Sequence, residues 1–241
     1  MTEEEWAKGM DARPMLNLLR DKATERKLRL FAVACCQSIL LHLTDNRSLR
    51  GIAAAESYAD SESSNNEFRR AAAQAFAASG EASGRFDNPH SLEARMLEFA
   101  TRAASMTTND GSIWRYASAA YQAAVHTADC VATARKFAPL GLGVKGGRPL
   151  ARKERRFQAV LMSCIFGNPF RPVAFDPRWR TSDTVGLARG IYEERAFERM
   201  PILADALMDA GCADEQVLGH CRGDRPHARG CWVVDLVLGK E

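Results

Sequence analysis

From Thr24 to Leu43 the positions Leu28, Phe31, Ala32, Cys35, Ile39 and His42 recur at spacings of three and four. That is the repeat of one face of an α-helix, and it does not fit a strand. Leu30, Val33, Leu40 and Leu41 make the remaining faces apolar too, so the spacing predicts a central helix, with Arg26, Lys27 and Arg29 near its start. Arg29, Gln37, Ser38 and His42 interrupt the run from Leu28 to Leu43. It is also shorter than the ~20 residues a membrane helix requires, which predicts a soluble protein.

The rest of the chain repeats the helical pattern. A second helix is expected from about Arg47 to Asp60, introduced by Asp45 or Asn46 as cap. Residues 61–133 are rich in Ala, which favours helix because its side chain loses no entropy and adds no bulk. Three helices are expected there, separated at Gly80, Gly84 and Asn88–Pro89, then at Asn109–Asp110–Gly111. The segment APLGLGVKGGRPL, 138–150, reads as a loop. Further helices are expected at 152–166, 181–194 and 201–210, with a short one at 214–220 capped by Ala213 or Asp214. Between the first two lies GNPFRPVAFDPRW, 167–179, whose prolines remove donors and disfavour helix just before them. It should run extended, with Phe170, Val173, Phe175 and Trp179 against the core. The final GCWVVDLVLGK has residues that suit a buried strand as well as a helix; without a convincing second strand to pair with, helix is preferred. The expected fold is therefore all-α, a multi-helix globular bundle with an irregular Pro-rich segment at 167–179. Residues 1–241 are expected to form a single helical domain, which admits a subdivision into 1–137 and 151–241 around the 138–150 loop.

Charge and cysteine usage narrow the function classes. A net charge of +3 is too small for whole-surface binding to nucleic acid or acidic membranes. Glu3, Glu4 and Glu5 stand where a secretory signal would carry positive charge. The 7 cysteines lack the regular spacing of a disulfide scaffold, so reduced thiols and a cytoplasmic location are expected.

The densest chemistry lies in HCRGDRPHARGCW, 220–232. A helix starting at Arg225–Pro226 with Asp224 as cap would put His227, Cys231 and Asp235 on one face. With His220, Cys221 or Cys212 these can complete a tetrahedral zinc site, although a Cys-x2-4-Cys pair is missing and the adjacent Cys35–Cys36 does not supply it. The same residues suit a thiol enzyme, with Cys221 or Cys231 activated by His220 or His227 and oriented by Asp205 or Asp235. The simpler reading makes Cys231 a core residue and gives the His and Arg side chains local hydrogen bonds.

A second cluster is basic. Lys145, Arg148, Arg152, Lys153, Arg155 and Arg156 are opposed only by Glu154, and a Gly-rich lead into such a helix can grip nucleic-acid phosphates or an acidic partner. No aromatic is interleaved for base stacking before Phe157. The literal GxGxxG of Gly141, Gly143 and Gly146 follows a Pro-closed helix end rather than a strand, so it does not carry a dinucleotide-binding reading.

Two blocks, RKLRLFAVACC at 26–36 and the run from IFGNPFRPV to HCRGDRPHARGCWVVDLVLGK at 165–240, resemble a family of uncharacterised bacterial proteins in which such segments bracket an Ala-rich middle. The resemblance implies that the terminal blocks form one module; it implies no activity, cofactor or catalytic residue. The expected function is a non-catalytic helical interaction or regulatory module with a protein partner. The alternatives are a nucleic-acid-associated protein using 145–156 and a metal- or thiol-dependent enzyme centred on 220–235.

Overall fold

The computed structural model describes residues 1–84, 127–133 and 147–240, and every regular element among them is a helix. None of these helices is long and apolar enough to cross a membrane. The chain divides into two compact units, Met10–Ala159 and Met1–Gly9 with Val160–Glu241. Most of the Ala-rich middle, and residues 138–146 of the expected hinge, lie outside the described residues.

In the Met10–Ala159 unit, local chemistry sets the helix starts. Helices α2 (Ala12–Leu19), α3 (Glu25–Gln37) and α4 (Asn46–Ala59) each begin after a side-chain cap, Asp11, Thr24 and Asp45, that accepts a first-turn N–H. Helix α5 (Asn65–Gly84) follows, and α3 packs on α4 and α4 on α5. Residues 28–36 of α3 are all buried, as its apolar faces require. It stops earlier than its periodicity suggests. Ser38 donates its hydroxyl to the Cys35 carbonyl at 3.0 Å and to Glu154 Oε1 at 3.1 Å, competing with the helix ladder. The backbone then tightens into a 3-10 turn, Leu40–His42, that leaves Leu41 97% exposed. Arg29 is buried yet satisfied in part by aromatic faces: its guanidinium lies 5.4 Å from the Tyr58 ring and 4.8 Å from the Phe68 ring. The 26–36 block thus belongs to this unit and the 165–240 block to the other.

The division falls inside helix α6 (Gly147–Phe166). The second unit holds α1 (Glu3–Lys8), the last turns of α6, α7 (Ser182–Glu194), α8 (Met200–Asp209), α9 (Glu215–Arg222) and α10 (Trp232–Leu238). Helix α7 packs on α8 and α10, and α8 packs on α9. The core contains Ile191, Leu203, Leu207, Val217, Val233 and Val237, all essentially inaccessible. Each contributes on the order of 1.5–3 kcal/mol by leaving water. The Pro-rich segment is irregular up to a 3-10 turn at Pro177–Trp179. Val173, Phe175 and Trp179 lie against the core as expected, whereas Phe170 stays 39% exposed. The final segment is helical: Val233, Val234 and Val237 are buried together, and Arg180 Nη2 satisfies the Leu236 carbonyl at 2.8 Å.

Candidate metal centre

Three short pieces of the second unit bring polar side chains to one point. Helix α9 starts at Asp214, whose Oδ1 accepts the N–H groups of Gln216 at 2.9 Å and Val217 at 3.1 Å. This register puts Val217 and Cys221 into the core, with His220 half-buried beside them. The helix ends at Arg222, and 223–231 is irregular. Arg229 pins that loop by donating to the Tyr192 carbonyl at 3.1 Å with its guanidinium over the Tyr192 ring, while the Cys231 N–H closes a turn on the Ala228 carbonyl at 3.0 Å. The third piece is the end of α6, which carries the buried Cys164.

The ligand-capable atoms of Cys164, His220, His227 and Cys231 all lie within 4.8 Å of one another. His220 Nε2 is 3.2 Å from Cys231 Sγ, and His227 Nδ1 is 3.6 Å from Cys164 Sγ and 3.9 Å from Cys231 Sγ. Donors around a tetrahedral zinc, at ~2.3 Å for sulfur and ~2.0–2.1 Å for nitrogen, sit roughly 3.3–3.8 Å apart. The two imidazole planes stand at 85° with centroids 4.9 Å apart, so their lone pairs are free to converge rather than stack. His227 Nε2 is buried with no hydrogen-bond partner among the described residues. Its Nδ1 instead faces the two sulfurs.

Protonation in the group is shared unequally. The hydrogen bond to Cys231, followed by burial, pushes the Cys164 thiol up. Burial also works to raise Cys231, but the Cys164 hydrogen bond, the charge of His220 and the hydrogen bonds of His220 and His227 hold it well below the usual cysteine range. A thiolate beside two imidazoles is the form that binds metal.

The structure places the expected residues as follows. His220, His227 and Cys231 converge, but Cys221 does not join them: it points into the core, and burial pushes its thiol up. The fourth converging donor is Cys164, 63 residues before His227, in the apolar last turns of α6 where no spacing marks it. The expected helix start at Arg225–Pro226 is corrected, since α10 begins only at Trp232. His227 and Cys231 therefore meet through a turn rather than through helical spacing, and Asp235 is not part of the group. Asp205 pairs with Arg222 at 2.8 Å on the surface. Cys35 and Cys36 are buried in the other unit, and Cys212 is buried outside the group.

In the basic segment, Arg152, Lys153 and Arg156 are exposed. Arg155 is held by Asp129 at 3.2 Å and Asp11 at 3.8 Å, while Glu154 is buried, accepting from Ser38 and Gln158. Lys145 and the side chain of Arg148 lie outside the described residues. Comparison of the chain with protein-family models, with curated proteins and with solved structures finds no match in any of the three.

Proposed function

We propose that the Val160–Glu241 region, with the N-terminal helix, is a zinc-binding structural module in which Cys164, His220, His227 and Cys231 hold the ion. The convergence of these four donors within 4.8 Å carries the reading. Two thiolates and two imidazoles form a borderline-soft set suited to zinc, and four protein ligands leave no open position for a substrate. The role is accordingly non-catalytic. The ion fixes the 223–231 loop and the end of α6 against α9, so that a helical interaction or regulatory surface keeps one shape.

Elemental analysis of the purified chain tests this directly. Close to one equivalent of zinc is expected in the wild type and in Cys221→Ser, with most of it lost in Cys164→Ser and Cys231→Ser. Cobalt loading should give the visible bands of a tetrahedral thiolate complex. A wild-type protein that takes up neither metal after reduction and refolding ends the proposal.

A further inference from the structure

Helix α1 is a six-residue helix, far below the ~12–15 residues at which an isolated helix becomes even marginal in water. Its order must come from what it touches. Trp6, the one residue it buries, is 3% exposed and donates its indole N–H to the Gly167 carbonyl at 3.0 Å. Glu3 reaches the same segment, accepting from Asn168 at 3.0 Å and pairing with Arg171 at 2.6 Å. All three partners lie within five residues of the end of α6.

What holds 167–171 leads back to the metal ligands. Gly167 has φ +65 and its N–H bonds to the Ser163 carbonyl, closing the helix turn that carries Cys164. A Cβ on Gly167 would sit 3.3 Å from the Trp232 ring, so that ring lies against the glycine. Trp232 follows Cys231 in sequence, and its ring centroid is 5.3 Å from that of His220. A cavity of about 420 Å³ is lined by Trp6, Gly167, Asn168, Glu215, His220 and Trp232, so α1 also walls the space that reaches His220.

Resting on the zinc reading above, we infer that α1 is a metal-coupled strap: zinc binding and the docking of α1 through Trp6 onto Gly167 stabilise each other. Linkage makes the coupling reciprocal, so a change at Trp6 must appear in the affinity for zinc. With α1 released, the cavity beside His220 loses the wall that Trp6 supplies, and the Gly167 carbonyl loses its indole donor.

The test uses the full chain and zinc itself. Competition with a chromophoric chelator should show zinc affinity reduced about tenfold in Trp6→Ala, within the usual range of coupling between sites. Trp6→Phe, which keeps an aromatic ring but loses the N–H donor, should show a smaller loss. Hydrogen exchange at residues 3–8 of the wild type should speed up at least tenfold on zinc removal. If the wild type binds zinc and both variants bind it equally tightly, the strap is overturned while the zinc site stands. If the wild type binds no zinc, both readings fall.

Discussion

Gly167 shows how much can rest on a missing Cβ. Its φ of +65 is a region that costs an L-residue about 1–2 kcal/mol, and the Trp232 ring leaves a methyl only a tight 3.3 Å. Gly167→Ala should therefore lower the stability of this unit by about 1–3 kcal/mol, measured by denaturant unfolding followed through tryptophan fluorescence. The cysteines separate in the same way at this scale. Burial keeps Cys35 and Cys36 protonated well above the ordinary thiol range, so iodoacetamide at pH 8 should label neither in the folded protein. Cys231 should be protected while metal is bound and become the most readily labelled member of the Cys164–Cys231 pair after chelation, read by peptide mass spectrometry. Labelling of Cys35 or Cys36 at the rate of an exposed thiol would contradict the packing of α3.

In the second unit α1, α8, α9 and α10 have ten residues or fewer, so their ends matter more than their middles. Helix α9 has eight residues and carries His220 on one side and Cys221 on another. Its start depends on Asp214, which accepts two backbone N–H groups. Asp214→Ala should cost ~1 kcal/mol, a factor of about 5 in local opening. Hydrogen exchange at residues 217–222 of the zinc-loaded protein should quicken by that factor, and Asp214→Asn should restore it. No change in exchange would mean that the core contacts of Val217 and Cys221 alone set the register of α9.

At the scale of the whole molecule, the four converging donors all belong to one of the two units. The Met10–Ala159 unit has the buried α3 with its α4 and α5 neighbours, and none of the four converging donors lies in it. Chelation should therefore loosen 160–171 and 220–232, seen as faster hydrogen exchange and a lower Tm for the second unit. Protection in 12–59 should stay within twofold. The core of the second unit, with Ile191, Leu203 and Val237, is substantial without metal. Loss of zinc should accordingly leave its helices largely formed by circular dichroism, unlike a zinc finger, whose folding depends on the ion.

Helix content, several helix starts and the lack of a membrane-spanning helix among the described residues were legible in the sequence because they depend on residues a few positions apart, whereas α1 and α2 were not expected and α6 begins at Gly147, inside the expected 138–150 loop. Asp45, Thr181 and Asp214 mark their helices through bonds to N–H groups two or three residues on. Three of the four converging donors, His220, His227 and Cys231, come from the His- and Cys-rich stretch 220–231. Local rules misplaced the end of α3, where Ser38 answers to Glu154, and the start of α10, where Arg229 ties the loop to Tyr192 instead of letting it coil. They also favoured Cys221 over Cys164. Only the tertiary structure could decide that, since it depends on how the end of α6 packs beside a loop 63 residues away. Sequence composition supplied the donors. The placing of Cys164 beside His227, and of His220 beside Cys231, chose which of them meet.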